Sequence, residues 1–153
     1  MYAGIITIDG TNYHIVFALQ EDELAPSAES RWKTTRTRTP GTGSSTDGWA
    51  NTLAMEAAGL ADHPAALYCR NYTGGGKADW YLPARNELAL EANLRAHPEL
   101  NLNRTSFRWT STESNASIAW TQRFSDGYQS NVSKYKDGTA RWVRPVRRVP
   151  VEV

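Results

Sequence analysis

Three histidines, one cysteine and a glycine triplet carry the plainest chemical potential in this chain, and their arrangement points away from catalysis. His14, His63 and His97 are scattered through the sequence without metal-ligand spacing. Cys69 is the single cysteine, so neither an intrachain disulfide nor a multi-cysteine metal site can form. It lies in the apolar run AALYCRNY, where a buried, inert thiol is expected. Thr73-Gly74-Gly75-Gly76 lacks the GK[ST] ending and the preceding strand of a phosphate-cradling loop. It fits a helix end and turn instead. No GxSxG or HExxH signature occurs. The expectation is therefore no catalytic residue, no cofactor and no metal.

What remains is polar and aromatic display. The last third of the chain carries Trp109, Trp120 and Trp142 in three strand-like runs, joined by Ser/Asn-rich and Asp-Gly-rich links. The candidate ligand-contact residues lie in or beside those links: Asn115, Arg123, Tyr128, Gln129, Asn131, Lys134, Tyr135 and Lys136. Tyrosine and asparagine on scaffolded loops supply contact area and hydrogen bonds at low entropic cost. The display surface is expected at 113–117 and 125–137.

Charge and composition narrow the partner. Seventeen basic and sixteen acidic residues leave a net charge of +1, without the basic excess of a general nucleic-acid binder. Two basic clusters, Arg31/Lys33/Arg36/Arg38 and Arg141/Arg144/Arg147/Arg148, fit solvated faces and sheet edges. No apolar run approaches the roughly 18 residues of a membrane span. MYAGIITIDG has no basic leader region, so synthesis in a cytosol without membrane insertion is expected. At 153 residues one domain is expected, its core built largely from six Trp, seven Tyr and three Phe.

The elements that must position the loops can be taken in order. Residues 1–19 predict a β-hairpin, two Ile/Val/Tyr-rich arms around Asp9-Gly10-Thr11-Asn12. Residues 20–46 are polar and broken by Pro26, Pro40, Gly41 and Gly43. They predict an edge strand or a long ordered loop, anchored by Trp32 and available as a contact arm. A helix over 47–60 is capped by Thr46 or Asp47, with Trp49, Leu53, Glu56, Ala57 and Leu60 as its stripe. A second helix starts at Pro64. A third runs from Pro83 to His97, with Arg85, Glu87, Glu91 and Arg95 pairing on its exposed side. Four strands follow, near 107–111, 119–124, 128–135 and 141–147, with turns at Ser125-Asp126-Gly127 and Lys136-Asp137-Gly138. In the last, Trp142, Arg144 and Val146 share one face.

Four motifs then resemble a known family. Asp79–Leu88 (DWYLPARNEL) resembles the DWRLPTRxEL signature of the DUF1566 or Lcl-C-terminal-like domains. Trp109–Glu113 resembles its WSSTE, Ala119–Gly127 its AWxxxFSDG, and Val143–Arg147 its closing VRxVR. The resemblance covers residues 47–148. It implies an α+β, C-type-lectin-like fold: two to three helices on antiparallel sheets, with long loops at one end. It also implies that Trp80, Trp109, Trp120 and Trp142 are core, and that Glu113 and Arg85 pair to brace the Leu-Pro corner. The EPN and WND sets of calcium-dependent lectins are absent. The paired cysteines of the related formylglycine-generating oxidases are absent too. The hairpin and long loop look like those of bacteriophage tail-fibre and virion proteins. The expected function is non-enzymatic: recognition of a host cell-surface glycan or protein by a virion protein. A structural decoration, spike or baseplate subunit is the alternative. Other virion proteins and a homo-oligomer, a trimer among the forms considered, are the expected partners.

Overall fold

Asp9 and Gly10 take φ values of 49° and 80°, the left-handed pair that a two-residue hairpin turn needs. They join β1 (Tyr2–Ile8) to β2 (Thr11–Phe17) in the expected hairpin. The computed structural model describes residues 1–97, 99, 106–131 and 141–152. Its remaining elements are α1 (Gly48–Gly59), α2 (Pro64–Asn71), α3 (Arg85–Leu88), α4 (Glu91–Arg95), β3 (Phe107–Glu113), β4 (Ala119–Arg123), β5 (Gln129–Ser130) and β6 (Val146–Pro150). The protein is α+β, with two small antiparallel sheets in the orders β1-β2-β6 and β3-β4-β5. No described helix is long and apolar enough to cross a membrane.

The closing strand departs from expectation. It begins at Val146, after Pro145, and pairs with β2 of the hairpin from Phe17↔Val146 to Tyr13↔Pro150. The preceding residues do not alternate between faces, because Val143, Arg144, Pro145 and Val146 are all buried. Val143 instead exchanges backbone bonds with Leu24, at 3.0 Å in each direction. The chain's two ends thus close one sheet. Of the strand expected over 128–135 only Gln129–Ser130 pairs as a strand; Tyr128 and Asn131 flank it outside the ladder, and 132–135 lie outside the described residues.

Asp47 caps α1 by accepting a hydrogen bond from Ala50 N at 2.9 Å, and Pro64 opens α2. The buried face of α1 is not the apolar stripe. Gly48, Asn51, Thr52 and Met55 face inward, while Leu53, Glu56 and Ala57 are exposed. Irregular backbone packs against this helix and needs partners. Asn51 Nδ2 donates to Ser44 O at 2.8 Å and to Ser111 Oγ at 3.1 Å. Leu82 N donates to Thr52 Oγ1 at 3.2 Å.

Residues 20–46 form an ordered loop with two short 3-10 turns, at 20–22 and 28–30. Trp32 is fully buried, and its Nε1 donates to Thr110 O at 2.8 Å. Two apolar clusters make the core. One gathers Ile15, Phe17, Tyr81, Leu88, Leu94, Phe124 and Val146. The other gathers Trp32, Met55, Cys69, Leu82, Trp109 and Val143. Successive residues of an extended run point oppositely, so Tyr81 enters the first cluster and Leu82 the second. The Leu-Pro corner therefore joins the two halves.

Candidate recognition loops and their buried support

The predicted contact residues do not form one patch. Asn115 lies in the β3–β4 link, whereas Arg123 and Tyr128 lie at the opposite end of β4. Five residues of strand separate these ends, roughly 16 Å at strand rise. Lys134, Tyr135 and Lys136 lie outside the described residues.

At the first end, Asn115 builds a turn. Its Oδ1 accepts from Ser117 N at 2.9 Å and from Ile118 N at 3.0 Å, an Asx turn. Asn131 Nδ2 donates to Ser114 Oγ at 2.9 Å, tying β5 to the same link. Gln129 is also occupied. Its Nε2 donates to Arg85 O at 2.7 Å and to Gln122 Oε1 at 2.9 Å, and its Oε1 accepts from Arg85 Nε at 3.0 Å.

At the second end, Arg123 grips Asp126 through two bonds, Nε to Oδ1 at 3.0 Å and Nη2 to Oδ2 at 2.5 Å. Asp126 Oδ1 also accepts from Tyr128 N at 3.0 Å, and its carboxyl is held down to about 2 by Arg123. The Arg123 guanidinium lies 5.3 Å from the Tyr128 ring centre. Gly127 takes φ 75° to close the turn. This locked tip leaves Tyr128 54% exposed.

Arg85 and Glu113 do not pair. Arg85 stacks 3.5 Å from the Trp120 ring centre. Glu113 accepts from Thr39 N at 2.8 Å and Thr42 Oγ1 at 3.1 Å, and faces Arg38 at 3.4 Å. The corner is braced by Glu87 instead. Its Oε1 accepts from Gly48 N at 2.8 Å and Ala84 N at 3.0 Å, and its Oε2 accepts from Tyr81 OH.

The expected exposed acidic face of 83–97 is therefore overturned at two positions, since Glu87 and Glu91 are both fully buried. The helix expected there is also broken into α3 and α4. Glu91 joins a four-charge cluster with Glu23, Arg108 and Arg144, each side chain 0% exposed. Arg108 donates to both Glu23 oxygens, at 2.8 and 2.9 Å from Nη2. Arg144 Nη1 lies 3.2 Å from Glu23 Oε1, and its Nε donates to Ala18 O at 2.9 Å. Glu91 lies 3.7 Å from Arg108 and accepts from Gln122 Nε2 at 2.7 Å. Two carboxylates face two guanidiniums, so the cluster is neutral. Burial pushes Glu91 up to about 6 against the pull of both arginines, and Glu87 up to about 7. The legible signal for Glu91 was its place between Leu88 and Leu94 at three-residue spacing, on the apolar stripe.

The histidines occupy separate surroundings. His14 Nδ1 meets Tyr2 OH at 2.9 Å. His63 is buried between Thr39 Oγ1 and Gly59 O, each at 2.7 Å. His97 meets Glu99 at 2.9 Å. Among the described residues no group of three or more His, Cys, Asp or Glu is placed to hold a metal. Cys69 is buried, and burial pushes its thiol upward.

No family model matches the chain, and no curated protein matches it. The likeness to the DUF1566 domains rests on the four motifs.

Proposed function

We propose that this chain is a non-enzymatic recognition protein of a bacteriophage particle, of C-type-lectin-like architecture, binding a host surface through its 123–128 tip. The reading is supported by one observation above others: Arg123 and Asp126 pre-organise a loop that presents Tyr128 outward. A rigid exposed aromatic loses little entropy on binding and makes a natural anchor. The test is binding of the purified chain to bacterial cells and to a glycan array. Tyr128→Ala is expected to reduce binding at least about tenfold with an unchanged circular dichroism spectrum. Wild-type protein that is folded yet binds neither cells nor glycans would overturn it.

The outer face of the first sheet favours a second reading, a virion subunit acting in assembly. Ile5, His14 and Val149 stand in one row across the three strands. Ile5 is 50% exposed and Tyr2, its ring tilted against His14 with centres 5.5 Å apart, is 56% exposed. An apolar sheet face of this kind suits contact with another virion protein or a second copy. Assembly would appear as a solution mass above the monomer that falls on Ile5→Lys.

A further inference from the structure

A cavity of about 210 Å³ lies where β2 pairs Tyr13 with Pro150 of β6. Tyr13, Trp49, Asp79, Tyr81, Arg148 and Pro150 line it. It shares no residue with the 123–128 tip. We propose that this cavity binds a neutral saccharide, seating one sugar ring between the Tyr13 and Trp49 walls with its hydroxyls on Asp79 and Arg148. The site stands or falls independently of the tip.

Three features select that chemistry. The first is a fixed acceptor pair. Arg147 holds the Asp79 carboxylate through two bonds at 2.8 and 3.0 Å. Each oxygen keeps a further lone pair, and the side chain is 46% exposed. Arg147 also holds this carboxyl below its usual range, so it accepts and does not donate. Two neighbouring hydroxyls of a sugar ring match such a pair. The second is a fixed donor. The Arg148 guanidinium lies 4.5 Å from the Tyr13 ring centre and donates from Nη1 to Asp47 Oδ1 at 3.0 Å. Asp47 is its one hydrogen-bond partner among the described residues, which leaves further N–H groups to donate. The third is charge balance. Asp79 is compensated by Arg147 and Arg148 by Asp47. An ionic ligand would find no unmatched charge, whereas a neutral polyol finds oriented donors and acceptors.

The walls are set before any ligand arrives. Trp49 meets Tyr81 edge-on, ring centres 5.8 Å apart, and Arg70 lies 4.8 Å from its ring centre. A pyranose offers an apolar C–H face to such rings while its hydroxyls reach the polar rim. The volume falls below the roughly 300 Å³ at which pockets for drug-sized ligands begin, which suits a single ring.

The experiment is a two-dimensional ¹H–¹⁵N titration of the full chain with glucose, galactose, mannose and N-acetylglucosamine, each alone. At least one is expected to give saturable shifts at the Trp49 indole N–H and the Arg148 Nε–H, with a Kd on the order of 1 mM. Asp79→Asn is expected to weaken it at least about tenfold. Should Asp79→Asn fail to fold, Arg148→Lys carries the same expectation, because it keeps the charge facing Asp47 and loses the planar donor set. No saturable shift with any of the four sugars would overturn the proposal. So would shifts confined to residues 123–128, or a folded variant that binds as tightly as wild type.

Discussion

Replacing Glu23 with Gln removes one of the two negative charges that hold Arg108 and Arg144 inside the protein. Glu23 receives Arg108 at 2.8, 2.9 and 3.1 Å and faces Arg144 at 3.2 Å, with no side-chain exposure. Glutamine keeps one acceptor oxygen but turns an amide donor toward a guanidinium donor. The cluster becomes +1, with Glu91 alone opposing two arginines. Breaking a buried pair by removing one partner costs about 3–5 kcal/mol, a large share of the roughly 5–15 kcal/mol that holds a domain together. At this chain length each kcal/mol shifts the melting temperature by about 2–4 °C, so a fall of about 6–20 °C is expected. Urea unfolding measures the loss directly. The decisive comparison is the double variant Glu23→Gln/Arg144→Met, which leaves Arg108 opposite Glu91 and the cluster neutral. It is expected to be at least about 1 kcal/mol more stable than the sum of the two single losses predicts. A single loss under about 1 kcal/mol, or strict additivity, would refute the claim that charge balance holds this cluster.

Two further outcomes follow from the Leu-Pro corner. Glu87 titrates at about 7 in the fold against an ordinary 4.5, so the native state binds its proton more tightly than the unfolded chain. On its account stability is highest up to about pH 4.5 and declines as pH rises to about 7, by on the order of 3 kcal/mol. Glu87→Gln removes that decline, and unfolding free energies at pH 5 and pH 8 should differ less in the variant than in wild type. Gly48→Ala is expected to destabilise by about 1–3 kcal/mol, although alanine favours helices. Its added Cβ would sit 2.5 Å from Ala84 N and 2.7 Å from Leu82 O, and thermal unfolding reads the loss.

Local rules carried much of the fold. Asp9-Gly10 announces the hairpin, Asp47 the start of α1, Pro64 the start of α2, and Ser125-Asp126-Gly127 the tip. Each of these is decided within three or four residues by backbone sterics or a cap. Tyr128 was legible as an exposed loop residue for the same reason. The candidate site as one surface was not legible. Asn115 and Asn131 serve the far end of β4, and Gln129 is spent on Arg85 and Gln122.

The sequence by itself determined the α+β class, the hairpin, the helix starts and part of the aromatic core: Trp80 and Trp109 are buried as expected, whereas Trp120 and Trp142 are only half-buried. Only the tertiary structure decided which polar side chains go inside. Residue type states where a lone glutamate or arginine is comfortable, and that is in water. Glu23 and Arg108 are 85 positions apart, and their burial becomes tolerable only when folding brings each its counter-charge. The same holds for Asn51 and Thr52, which turn inward because irregular backbone arrives to use them. It holds for Val146–Pro150, which joins the N-terminal hairpin because strand pairing is settled by which edge is free in space, not by which strand is nearest in sequence.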